Sequence, residues 1–173
     1  MKLDKVLLFA FCLQLFITGT SQIKYDKLVP GVSISKNDFS TKDAIVTITT
    51  PGRKNGATNY TYTISLISKK KEHITFDSMW VSGDRLQLLS SKNGLAIDST
   101  TTLEKGDIVS LKANQSIRSS SLVNRNTPPK AGIKPVIASP FSYEGAALIR
   151  YYIGTTTYYY IINSITKKRI NLP

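Results

Sequence analysis

Asn59-Tyr60-Thr61-Tyr62-Thr63-Ile64-Ser65-Leu66-Ile67-Ser68 has a period of two from end to end. In an extended chain Tyr60, Tyr62, Ile64 and Leu66 point to one side, and Thr61, Thr63, Ser65 and Ile67 to the other. One aromatic and aliphatic face backed by a mostly hydroxyl face is the signature of a half-buried β-strand. The same period continues outward in both directions.

After the polar connection Lys69–Glu72 comes His73–Val81, with Ile74, Phe76 and Trp80 read on one face, so the two segments are expected to form an antiparallel hairpin. Gly83-Asp84 turns into Arg85–Leu89, and Asn93-Gly94 is the dipeptide favoured where two turn residues need positive φ. Upstream, Ala44–Thr50 is a β-branched run that stops at Pro51-Gly52. Downstream, Gly106-Asp107 leads into Ile108–Ala113. Asn114–Lys134, rich in Ser and Asn and carrying Pro128-Pro129, reads as a long exposed loop. Ala146–Ile153 and Thr157–Ile165 flank Gly154-Thr155-Thr156 as a second hairpin, apolar or aromatic on both faces and therefore central in a sheet. Ile170 and Leu172 extend that last strand or form another.

About seven to nine strands at short intervals, with no helical period, predict an all-β fold. The architecture expected is an antiparallel β-sandwich, immunoglobulin-like first and a jelly roll as the alternative. Trp80 is compatible with the core tryptophan of immunoglobulin-like domains, although the paired cysteines of that family are absent.

The N-terminus carries a different pattern. Lys2 and Lys5, with Asp4 between them, precede the apolar run Val6–Ile17, broken only by Gln14, and Thr18-Gly19-Thr20-Ser21-Gln22 follow. Charged, apolar and small-residue regions in that order predict a secretory signal peptide over residues 1–21, cleaved near residues 20–22. The run is too short for a spanning helix, and no second stretch is long enough. A lipoprotein site at Cys12 is disfavoured by Phe11 before it. Cys12 is the only cysteine, so the mature chain is expected to have no disulfide and to rest on an ordinary packed core. Residues 22–42 read as a leader with a Pro30-Gly31 turn and a short strand at Val32–Ser35, and residues 43–173 as a single domain. Secretion or a periplasmic location follows from the signal peptide.

The whole chain carries 23 basic and 11 acidic residues, a net charge of +12. Without Lys2, Lys5 and Asp4 these fall to 21 and 10, leaving +11. Such a chain is drawn to polyanions. An exported protein meets anionic polysaccharide more naturally than nucleic acid, so no nucleic-acid partner is expected.

Catalytic motifs are sparse. His73 is the only histidine, there is no Gly-x-Ser-x-Gly elbow, and zinc would need a His/Cys cluster. Asp77, Asp84, Asp98 and Asp107 sit at turns and match no EF-hand spacing. No cofactor and no metal are expected. Aromatic and basic residues are the remaining candidates for a binding surface: Trp80, Tyr152 and Tyr159 as platforms, Lys69, Lys70 and Lys71 as one basic turn, and Arg118 and Arg125 in the long loop. Lys167-Lys168-Arg169 is a second basic cluster. Asn59-Tyr60-Thr61 and Asn114-Gln115-Ser116 match the glycosylation acceptor pattern. The function expected is a non-catalytic binding module for a protein or an anionic envelope polysaccharide. The alternatives are a small hydrolase using two facing carboxylates, and a subunit of a surface assembly built through an exposed strand edge.

Overall fold

The computed structural model describes residues 32–35, 37–52, 56–97, 100–118 and 138–171. The signal peptide, the Pro30-Gly31 turn, Asp98, Arg125 and Pro128-Pro129 lie outside them. The strands are β1 (Val32–Ile34), β2 (Phe39–Thr50), β3 (Ala57–Ser68), β4 (Glu72–Val81), β5 (Asp84–Gln87) and β6 (Leu89–Lys92). They continue as β7 (Leu95–Ile97), β8 (Thr101–Leu103), β9 (Ile108–Arg118), β10 (Ala147–Ile153), β11 (Thr156–Ile162) and β12 (Thr166–Asn171).

Two packed sheets result. The first runs β1-β11-β10-β4-β5, with β8 also on β4; the second runs β12-β2-β3-β9-β6-β7. The fold is an all-β sandwich. Its pairings are antiparallel except at two edges, where β1 joins β11 and β12 joins β2 in parallel. Among the described residues no helix is long and apolar enough to cross a membrane.

Turn chemistry accounts for the tight connections. Ser82-Gly83 (φ 51° and 89°) and Asn93-Gly94 (φ 52° and 81°) have positive φ at both central residues, which matches the twist of the flanking strands. The first turn is thus one residue earlier than the Gly83-Asp84 expected.

The expected hairpin between Asn59–Ser68 and His73–Val81 does not form. β3 pairs with β2 and β9, whereas β4 pairs with β10, β5 and β8. The Lys69–Lys71 connection carries the chain from one sheet to the other. Leu88 makes a second crossing, between β5 and β6, and its amide donates to the carbonyl of Asp77 at 3.2 Å. Phe39–Lys42, expected to end a leader, belong to β2, with Phe39 in the core. Asn114–Arg118, expected to begin a loop, complete β9 against β3.

The core lies between the sheets. Ile64, Leu66, Val109 and Leu111 of the second sheet meet Ile74, Met79, Ile149, Tyr151 and Ile162 of the first. The alternation of β3 places Tyr62, Ile64 and Leu66 inward, as their period demands. β4 breaks its own period. Its register against β10 shifts between Arg150 and Tyr151, leaving Asp77 as an extra residue between Phe76 and Ser78. A bulge inverts the facing of everything beyond it. Ile74 and Phe76 face inward before Asp77, Met79 and Val81 face inward after it, and Trp80 turns outward. Trp80 is therefore not the tryptophan of the inter-sheet core.

Candidate functional site

Trp80 is still only 2% exposed, because a second apolar cluster covers the outer face of the first sheet. Trp80 packs there with Leu148 and Tyr159, under Phe141 and Tyr143. Phe141 meets Tyr159 edge-on at 5.0 Å between ring centroids, and Tyr143 Oη donates to the Trp80 carbonyl at 3.0 Å. Burial raises the Tyr143 phenol above its ordinary pKa. Residues 138–146 are a strap laid across this face. Tyr159, 4% exposed, is held under it and offers no open platform. Tyr152 is half-buried, with the Arg150 guanidinium 5.8 Å above its ring. The tyrosines of β11 divide as strand geometry requires, Tyr158 and Tyr160 against the inter-sheet core and Tyr159 against the outer cluster.

Gly145 anchors the strap. A Cβ there would lie 2.6 Å from Ile161 Cγ2 and 2.9 Å from the Ile162 carbonyl oxygen. That carbonyl cannot retreat, since it accepts the Ala146 amide at 2.7 Å. Gly145→Ala is expected to cost about 1–3 kcal/mol, the usual range for overpacking. A thermal melt of the variant that matches the wild type would show that the strap is not seated this tightly.

The basic residues sort by whether an acid answers them. Lys70 Nζ lies 2.8 Å from Asp38 and 3.3 Å from Glu72, and Lys71 Nζ lies 2.7 Å from Glu104. Arg85 and Arg150 both donate to Asp77 Oδ2, and Arg150 stacks on Trp80 at 5.5 Å. Burial works against the Asp77 carboxyl, but Ser78 and the two arginines outweigh it and hold the group below its usual range. Lys92 pairs with Asp107 at 2.5 Å. Of the expected basic turn, Lys70 and Lys71 are thus neutralised locally; Lys69 is exposed and gives its amide to the Asp38 carbonyl. Arg118 closes β9 opposite Ala57, away from Lys69–Lys71 in the pairing scheme.

Lys167, Lys168 and Arg169 have no ion pair among the described residues. Their register on β2 explains what two of them do. Lys167 lies beside Val46 and Arg169 beside Ile48, so both project to the inner side of the second sheet. There they line a groove of about 740 Å3 at the end of the sandwich. Val46, Ile48, Tyr60 and Tyr62 form one wall; the β4–β5 turn and the strap, through Phe141 and Tyr143, form the other. Ser82, Ser139 and Ser142 add hydroxyls. Tyr62 Oη donates to Gln115 Oε1 at 3.3 Å, and Gln115 Nε2 donates to Asp84 at 2.6 Å, bracing that wall.

Among the described residues no carboxylate, imidazole or thiol lines this groove. His73, exposed on β4, shares a 2.8 Å hydrogen bond with Thr102. Asp38, Asp77, Glu104 and Asp107 each face a cation of their own. Among the described residues no group of three or more His, Cys, Asp or Glu side chains gathers as a metal site would need. The groove therefore offers apolar and aromatic contact, hydroxyl hydrogen bonds and two positive charges with no ion pair among the described residues. Compared with family models, curated proteins and solved structures, the chain matches none of them.

The groove residues carried a sequence signal that the expectations above did not use. Ile165, Lys167 and Arg169 are spaced by two, which puts an apolar and two basic side chains on one side of a strand.

Proposed function

We propose that the protein is an exported, non-catalytic binding module that takes an acidic polysaccharide into the groove at the end of its sandwich. The observation that carries this reading is the pair Lys167 and Arg169, without an ion pair among the described residues and aimed into a groove walled by tyrosine and phenylalanine. Sugar rings present apolar faces that aromatic side chains cover, and uronate or sulfate groups suit cations that no local acid neutralises. A groove lined by no carboxylate or imidazole among the described residues supports binding over hydrolysis, since general acid and base groups must touch the reacting bond. The export part rests on the residue order of the N-terminus.

Polygalacturonate and neutral dextran distinguish the reading. The chain is expected to bind the first and not the second, at about 0.15 M salt where loose surface attraction is largely screened. Lys167→Ala with Arg169→Ala is expected to weaken binding at least about tenfold, equivalent to roughly 1.4 kcal/mol. Equal binding to both polymers, or an unaffected double variant, would remove the groove from consideration.

A further inference from the structure

The main-chain edge of β12 is a feature separate from the groove. β12 pairs with β2 through Thr166–Asn171 against Ile45–Thr50, and it ends the strand order of its sheet. Its other edge has no partner among the described residues, and all six of its residues are exposed. The strands at the other sheet margins are shorter: β1, β7 and β8 have three residues each and β5 has four. Short edges and like charges are how sheets avoid unwanted pairing. β12 relies on charge alone.

That charge has a direction. Lys167 and Arg169 project inward and Lys168 outward, beside Thr47, so both faces of the edge are positive. Two copies of this edge laid together would set cations opposite cations, which opposes self-pairing. An incoming strand with acidic residues on both faces meets the opposite situation. Its backbone would complete the open ladder while its carboxylates met three cations that have no ion pair among the described residues. We propose that the free edge of β12 is a docking edge for an extended acidic peptide, added as a further strand to the second sheet.

Peptide carboxylates on the inner face would reach Lys167 and Arg169 and so compete with a polysaccharide in the groove; Lys168 belongs to the edge alone. The probe is a fluorescent peptide, Thr-Val-Glu-Glu-Glu-Val-Thr-Val, titrated with the purified chain and followed by anisotropy. Binding is expected, weakened about tenfold by Lys168→Glu, and lost when alternate amides of the peptide are N-methylated with its charges kept. Lys168→Glu is exposed and is expected to melt like the wild type and to keep its polygalacturonate affinity. Absence of peptide binding would overturn the proposal, and so would an N-methylated peptide that binds as well as the parent, since charge alone would then explain the contact. Either failure leaves the polygalacturonate result untouched, because that experiment uses another ligand and other variants.

Discussion

Trp80→Ala is expected to destabilise the protein by about 3–5 kcal/mol, the cost of emptying a large aromatic site in packed surroundings. The ring is enclosed by Leu148, Tyr159 and the strap, and two guanidinium groups lie over it. Its removal withdraws the surface on which Tyr159 and, through it, Phe141 rest. Domains of this kind are stable by only about 5–15 kcal/mol, so a shift of roughly 10 °C in the melting temperature is expected. Urea unfolding read by far-UV dichroism provides the measurement. A variant that unfolds at the wild-type urea concentration yet no longer binds ligand would make Trp80 a contact residue and refute the structural role assigned to it.

Asp38 gives the second large effect. It is 4% exposed and precedes β2, where it ties both sheets together. Tyr151 of β10 donates its hydroxyl to Oδ2 at 2.5 Å, and Lys70 of the β3–β4 crossing lies 2.8 Å from Oδ1. Burial alone would raise the carboxyl, but Lys70, Ser35 and Tyr151 outweigh it and hold it below its ordinary pKa. The same contact raises Lys70, and burial with the Asp38 bond raises the Tyr151 phenol strongly. Asp38→Ala leaves a buried hydroxyl without its acceptor and Lys70 with only the longer contact to Glu72. The expected cost is about 2–4 kcal/mol, below the full value for a buried pair because Lys70 is half-exposed. Asp38→Asn keeps an acceptor for Tyr151 and should lose about half as much.

The pH dependence has a definite sign. A carboxyl whose folded pKa is depressed contributes stability above its unfolded pKa and loses it as pH falls through the folded value. The gap between wild type and Asp38→Asn should therefore hold steady from about pH 5 to 8 and close below about pH 4. A gap that persisted under acid would mean that shape rather than charge fixes the site.

The strands were legible because their side chains obey a period of two, most clearly in β3 and in the β10–β11 hairpin. Partnership was less so. β3 and β4 follow each other across a short polar connection, as the strands of a hairpin do, yet nothing local distinguishes a turn that folds back from one that crosses to the facing sheet. The bulge at Asp77 was invisible for a related reason: alternation is read by counting, and one unpaired residue makes every later count wrong. That is why Trp80 was assigned to the wrong side of β4. The two lysine clusters look alike as sequence. They differ because Glu104 answers Lys71, and Asp38, some thirty residues before Lys70 in the chain, answers Lys70, whereas among the described residues no acid pairs with β12. Charge patterning shows cations but not which of them the fold will neutralise.

The parallel edge pairs bear on when this protein can fold. β1 rests against Thr157–Tyr159, and β2 receives β12 along Ile45–Thr50. The early strands of both sheets thus wait for partners that come far later in the chain. During synthesis each sheet has an open margin, and long-range closure of this kind is slow compared with local hairpins. Closure of both sheets consequently waits on β11 and β12, and a holding factor that shields the incomplete margins would raise the yield more than one that speeds turn formation.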